Sequence, residues 1–368
     1  MLVVRHFSAD SGNATKVADY EPSIDSESML KCRSVSRAAF FIHALHATIP
    51  AMFKEPAYQW RDPAWRQSAE GWIHEALTRL GRPAIGPISG VRFLPWSAVL
   101  RAPTASGDYY FKQCGPSQAH EPALAEFLAA TRPDCMIALA AVDRPGMRFL
   151  MVDGGPTLTA AISAPRDGPA HWQRVLTLMA DVQREMIPRA DFLLGIGVPD
   201  RRPGTLPNLF RGLMAQPDRL RIDMPGGLTA DDLLTLEAIS SRTDSLCEEL
   251  DTFGLPATYV QDDLHEDHIF AAPGADGTWR YTFFDFGDAC VGHPFLQLVS
   301  RPRFAGKRYG FDGDQVLAPL FDGYLSHWQD FAPHSVLRRA FDIALALGGI
   351  MRVLTWITAC RDQLPALS

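Results

Sequence analysis

The 368-residue chain has only six cysteines, no CxxC pair, no excess of basic residues and no uninterrupted apolar run long enough to span a membrane. Each absence excludes something. Cys32, Cys114, Cys135, Cys247, Cys290 and Cys360 are scattered, which in a chain this long points to reduced thiols in a cytoplasmic protein rather than a disulfide framework. A formal net charge of −7 argues mildly against a nucleic-acid partner, because composition alone supplies no basic face. Asp10, Asp19 and Glu21 interrupt the N-terminus before any secretory apolar segment forms. Of the two most apolar stretches, 38–53 contains two histidines and a proline, and 340–359 contains Asp342 and Arg352. Neither is a membrane span, and the second reads as a core helix. There are no internal repeats or low-complexity tracts.

What is present is an ordinary globular composition, 47% apolar and 21% charged, with a length that allows one large or two moderate domains. Residues 1–55 are rich in serine and aspartate without a sustained period, so an N-terminal extension without packed structure is expected there. From Trp60 to about Pro83 apolar residues recur at helical steps. Strands follow over 91–103 and 108–114, joined by the turn TASG, then a helix over 120–131 and a strand pair over 136–143 and 147–155 split by RPG. Beyond Gly155 the period turns helical. Trp172, Val175, Leu176, Met179, Val182 and Met186 line one face of 168–187, and a helix over 229–252 starts at Thr229 and Asp232. Two more helices are expected around 314–329 and 335–361, with Trp96 and Trp356 in the core. The pattern defines an α+β chain with a strand-rich lobe (56–153) and a larger, mainly helical lobe (154–368).

The chemistry concentrates in VQDDLHEDH (260–268) and YTFFDFGDACVGHPF (281–295). Asp263, His265 and His268 spell a loose metal motif, which Cys290 or His293 could complete as a zinc site of a hydrolase. That motif lies three-quarters along the chain, after long helices, which disfavours the zinc reading. Phosphoryl transfer fits the order of residues better. It requires a carboxylate to orient the attacking hydroxyl, oxygen ligands for Mg2+, and a lysine on the nucleotide phosphates held by a glutamate. Lys112 stands on a strand, Glu121 or Glu126 on the next helix, Asp263 in a turn between strands, and Asp285 at a strand end.

With those residues in place, DDLHEDHIF followed by FFDFGDACVGHPF resembles the aminoglycoside phosphotransferase and choline-kinase-like family of small-molecule kinases, whose signature runs H-G-D-L-H-x-x-N, a strand, then D-[FW]-G-D. YYFKQC, HEPALAEFLA and FLMVDGG extend the resemblance over about 60–360. It implies a two-lobed protein-kinase-like fold and transfer of the γ-phosphate of ATP, or alternatively GTP, to a hydroxyl of a small molecule. It further implies that Asp263 is the catalytic aspartate and that Asp285 holds the metal, Mg2+ or alternatively Mn2+. Lys112 contacts the phosphates, with Glu121 rather than Glu126 as its partner. Met151, Val152 and Asp153 form the hinge that recognises adenine. The family commonly covers the phosphates without a G-x-G-x-x-G loop, and none precedes the lysine strand here.

The sequence departs from the signature at three places. Gln261 replaces the first histidine, Gln297 replaces a downstream aspartate, and His268 occupies the metal-binding asparagine position. Imidazole is a softer ligand than Mg2+ prefers, so His268 is expected to bind a water or phosphate, to shift the preference toward Mn2+, or to hydrogen-bond within the loop. His265 reads as a brace and His293 as a packed turn residue. Glu266, Asp267 and Asp288 are either solvated or attractive to a cationic substrate. A catalytically inactive nucleotide-binding pseudokinase is the alternative from another functional class. The identity of the hydroxyl-bearing substrate does not follow from the sequence.

Overall fold

The computed structural model describes residues 58–164, 166–216, 230–298, 310 and 314–360. The expected extension over 1–55, the expected helix start at Thr229 and the side chain of Trp356 lie outside what it describes. The strand-rich part begins with helix α1 (Pro63–Arg79), capped by Asp62, whose carboxylate accepts the Ala64 amide at 2.8 Å, with Pro63 at the first helical position. Five strands follow, β1 (Ser89–Leu94), β2 (Ser97–Thr104), β3 (Gly107–Cys114), β4 (Leu139–Asp143) and β5 (Arg148–Val152), with α2 (Glu121–Thr131) between β3 and β4. They form one antiparallel sheet in the order β1-β2-β3-β5-β4.

The stretch 91–103, expected as one strand, is two. The chain turns at Pro95-Trp96 and Leu94 pairs with Ser97, because proline has no amide to continue a ladder. Trp96 is half-buried in this turn, where its carbonyl accepts the Gly115 amide, and so does not join the core. The β3 strand sorts its side chains by alternation. Tyr109 and Phe111 pack with Ile73, Leu77, Leu100 and Leu150 beneath α1, whereas Cys114 joins the main core on the opposite face of the sheet, with Leu124 and Leu128 of α2. Lys112 belongs to that second face.

The helical part contains α3 (Leu158–Ala161), α4 (Gly168–Met186), α5 (Ala190–Gly195), α6 (Leu206–Met214), α7 (Ala230–Thr252), α8 (Asp314–Ser326) and α9 (His334–Cys360). A three-stranded sheet, β6-β10-β7 (Asp200–Arg201, Ala289–Gly292, Thr258–Gln261), and a hairpin, β8 (Ile269–Pro273) with β9 (Trp279–Phe283), carry the loops that matter. All six residues expected on the buried face of α4 are fully inaccessible. Helix α9 is long and apolar enough to cross a membrane, yet Leu337, Phe341, Ala344, Leu347 and Met351 are buried against the protein's own core. Its apolarity reflects interior packing. Gln183 of α4 fixes the end of β7. Its amide donates to the carbonyls of Tyr259 and Pro294, both at 3.1 Å, and its oxygen accepts from Tyr324. Gln297 continues this network by accepting the Gln261 amide at 3.1 Å.

Candidate active site

Lys112 is 4% exposed, and its ammonium lies 2.7 Å from Glu121 Oε1 and 2.7 Å from Asp285 Oδ1. Charged groups are rarely buried so completely unless paired. Burial alone would lower the lysine pKa, but Asp285 and Glu121 outweigh it and raise it, so the ammonium stays charged. Burial pushes Asp285 up, and the pull of Lys112 more than reverses this, holding it well below the usual carboxylate range. Burial raises Glu121. Glu121 also accepts the Phe286 amide at 3.0 Å and the Cys114 thiol at 3.2 Å. One carboxylate on α2 thereby ties the lysine strand to the loop after β9. Glu126, one turn further along α2, points away and pairs with Arg144 at the surface.

Asp285 adopts a left-handed backbone conformation, φ +63°, which aspartate tolerates better than most residues. Gln261 replaces the signature histidine and braces this turn, donating to the Phe284 carbonyl at 3.0 Å. Gly287 follows because Gln118 packs where a Cβ would stand, 2.5 Å away. From there the Gln118 amide reaches Asp288 Oδ1 at 2.9 Å.

In the loop after β7, His265 Nδ1 accepts the Asp267 amide at 3.2 Å, the bracing role expected for it. Burial lowers the pKa of His265, and that of His268 to about 3, so both rings are neutral at pH 7. A neutral imidazole donates from one nitrogen only. His268 Nδ1 lies 3.0 Å from the Asp263 carbonyl and its Nε2 3.2 Å from Asp285 Oδ2, and the single proton of the neutral ring can serve either contact. A carboxylate oxygen and an imidazole nitrogen side by side are a donor set that a divalent metal accepting nitrogen would fit.

Asp263, His265 and His268 also present ligand atoms within 4.8 Å of one another. His265 Nε2 and His268 Nδ1 both lie 3.6 Å from Asp263 Oδ2. Neither Cys290 nor His293 belongs to this group of ligands. His293 is buried, and its Nδ1 accepts the Phe295 amide at 3.3 Å.

At the expected hinge, Met151 pairs across the sheet with Tyr110 and Leu139. The Val152 amide donates to the Ala138 carbonyl at 3.0 Å and the Asp153 amide to the Asp108 carbonyl at 3.1 Å. Both of these amides are thus engaged within the protein. The next residue is glycine because the Phe270 ring lies 2.1 Å from where a Cβ would stand.

The acids beside the site differ in burial. Glu266 is 5% exposed rather than solvated, and burial raises Asp288 to about 6. Asp267 keeps a half-exposed side chain and accepts a hydrogen bond from Thr159. Arg92 stands exposed at a bulge in edge strand β1, close enough for its charge to lower the pKa values of Asp285, His265 and His268. Arg352 of α9, buried, reaches both Asp262 and Asp263. An exposed arginine on an edge strand and an arginine in an apolar helix have no motif to mark them.

No protein-family profile matches this chain, and no curated protein sequence matches it. Solved structures do. A macrolide 2'-phosphotransferase type I superposes with a TM-score of 0.51 at 14% identity, over 81% of this chain and 95% of that one. The choline kinase LicA from Streptococcus pneumoniae gives 0.45 at 12% identity over 76% and 98%. The GDP complex of wild-type aminoglycoside 2'-phosphotransferase-IIIa gives 0.45 at 13% over 80% and 99%. The fold is the two-lobed, protein-kinase-like α+β fold, as the first of these superpositions shows. At this identity the likeness defines architecture, and the chemistry rests on the residues described above.

Proposed function

We propose that this chain is a small-molecule phosphotransferase of the aminoglycoside-phosphotransferase and choline-kinase-like class. It would transfer the γ-phosphate of ATP, or alternatively GTP, to a hydroxyl. The observation that carries the reading is Lys112 bridging Glu121 and Asp285, with His268 joining Asp285 to the Asp263 loop. Phosphoryl transfer passes through a loose transition state, so positioning and charge stabilisation supply most of the catalysis. Lys112 and the exposed Arg92 supply positive charge toward the phosphates. Asp263 orients the acceptor hydroxyl and takes its proton as the bond to phosphorus forms. Asp285 and His268 would hold the divalent ion, Mg2+ or, given the imidazole nitrogen, Mn2+; when bound, it neutralises phosphate charge. The four described cysteines, Cys114, Cys135, Cys247 and Cys290, are buried free thiols, which agrees with a cytoplasmic setting.

The test is consumption of ATP and GTP by the purified chain, with Mg2+ or Mn2+, against a library of hydroxyl-bearing metabolites and antibiotics. Asp263→Ala is expected to abolish turnover while leaving nucleotide binding intact, and Asp285→Ala to weaken metal–nucleotide binding. Undiminished turnover by Asp263→Ala would exclude this assignment. Metal-dependent nucleotide binding without turnover on any acceptor would favour the pseudokinase alternative, which His268 and Gln261 suggest.

A further inference from the structure

Asp262 immediately precedes the candidate catalytic aspartate, at the position where the signature resembled by this loop carries glycine. It is only 5% exposed, and a carboxylate so buried needs a partner. The partner comes from α9, 90 residues later. Arg352, itself 6% exposed, places Nη1 at 3.0 Å from Asp262 Oδ2 and 3.3 Å from the Asp262 carbonyl. Thr355, on the same face of α9 at i+3, donates to Asp262 Oδ2 at 2.8 Å. The other terminal nitrogen, Nη2, lies 3.3 Å from Asp263 Oδ1. Asp288 Oδ2 completes the surroundings at 3.8 Å from Nη1.

Stability alone does not explain this arrangement, because apolar side chains of similar volume often serve an interior equally well. The geometry explains more. A guanidinium is a rigid planar fork, so anchoring one nitrogen fixes the position of the other. Asp262, itself fixed by Thr355, anchors Nη1, and Nη2 is thereby held against one oxygen of Asp263. Oδ2, the other oxygen, faces His265 and His268. We propose that Arg352 is a positioning residue for phosphoryl transfer. Held by Asp262, which Thr355 fixes in turn, it stops rotation of the Asp263 carboxylate and makes helix α9 part of the active site. This inference rests on the reading of Asp263 as the group that orients the acceptor.

Arg352→Gln alone would leave Asp262 buried without a counter-charge, and the variant could fail to fold. The informative variant is therefore Asp262→Asn with Arg352→Gln, which removes both charges. Its melting temperature, its affinity for ATP with Mn2+ and its turnover of ATP would be compared with those of the full wild-type chain. Water serves as one acceptor in the assay, and the hydroxyl compound found in the library screen as the other. We expect a melting temperature within a few degrees of wild type and nucleotide affinity within about twofold. Turnover should fall by about 10²-fold, the scale of a 1 Å misplacement of a reacting group. Arg352→Lys should restore only a small part of that loss, since an ammonium cannot engage both aspartates as a fork does.

A folded double variant with turnover within threefold of wild type would overturn the inference. So would a parallel loss of nucleotide affinity, which marks a structural role. Asp263→Asn, run alongside, separates the two levels of the argument. Normal turnover by Asp263→Asn sinks the phosphotransferase reading itself. Abolished turnover there, with a fully active double variant, sinks only the role of Arg352.

Discussion

Lys112 and Arg352 are both buried cations, and each bridges two carboxylates, but they are built differently. Lys112 sits on a strand nine residues before Glu121 and spans the two lobes to reach Asp285. Arg352 sits on a helix and joins two adjacent aspartates within one loop. A lysine presents a compact charge on a flexible stem, whereas arginine presents a fixed fork. The first therefore suits a site where phosphates must displace or share a carboxylate contact. The second suits a site where a carboxylate must not move.

The largest expected effect breaks the first of these centres. Lys112→Met leaves Glu121 and Asp285 facing each other with no cation between them. Removing one partner of a buried pair costs about 3–5 kcal/mol, so chemical denaturation should show a large loss of stability, and ATP turnover should fall below detection. Unchanged stability would mean that the lysine is not the element holding α2 to the loop after β9. Arg92→Gln should come next in size. Its charge reaches the site from an exposed position, so it should raise the KM for nucleotide roughly tenfold at low salt. It should leave melting unchanged, and added salt should shrink the difference. A salt-independent effect would argue against electrostatic action.

His268→Asn sharpens the comparison at the point where the two centres meet. Asparagine replaces the nitrogen that faces Asp285 with a carbonyl oxygen, a harder ligand. The ratio of activity with Mg2+ to activity with Mn2+ should rise several-fold, and equal ratios in both proteins would show that His268 does not touch the metal.

The acid limb of stability provides a finer test. Burial lowers His120 to about 4 and His268 and His293 to about 3. Unfolding lets these rings take up protons, so stability is lost as pH falls below about 6.5. Asp288, raised to about 6, acts in the opposite sense, because the fold favours its protonated form as pH falls from about 6 toward 4. Asp288→Asn should therefore steepen the fall in melting temperature between pH 6 and 4. A parallel curve would show that Asp288 titrates normally in the folded protein.

The first centre was legible in the sequence because its parts carry motifs: a lysine on an alternating strand, a first-turn glutamate, and D-F-G after a strand. The fold followed for the same reason, since the periods of β3 and α4 state which faces are buried. The second centre was not legible. Arg352 interrupts an apolar run in which nothing distinguishes a structural arginine from a functional one, and its partners lie 90 residues away. Gln261 was in view as a departure from the signature, but the bond its side chain donates to the Phe284 carbonyl was not. The break at Pro95 was missed because apolar residues continue on both sides of the turn, although the proline itself was in view.

The smallest expected effect concerns Glu126, the other acid on α2 that sequence order alone could have assigned to Lys112. It lies one helical turn beyond Glu121, but its carboxylate faces outward and pairs with Arg144, with both side chains about half exposed. Exposed pairs of this kind contribute roughly 0–1 kcal/mol, because water already solvates both charges well. Glu126→Gln should therefore leave nucleotide affinity and turnover at wild-type values and shift the melting temperature by no more than about 2 °C. Glu121→Gln, the same change one turn earlier, should weaken both affinity and fold, since it removes the charge opposite a fully buried ammonium. Equal effects of the two substitutions would mean that burial does not set the strength of such a contact, and the contrast between a buried cation and a surface one would lose its basis.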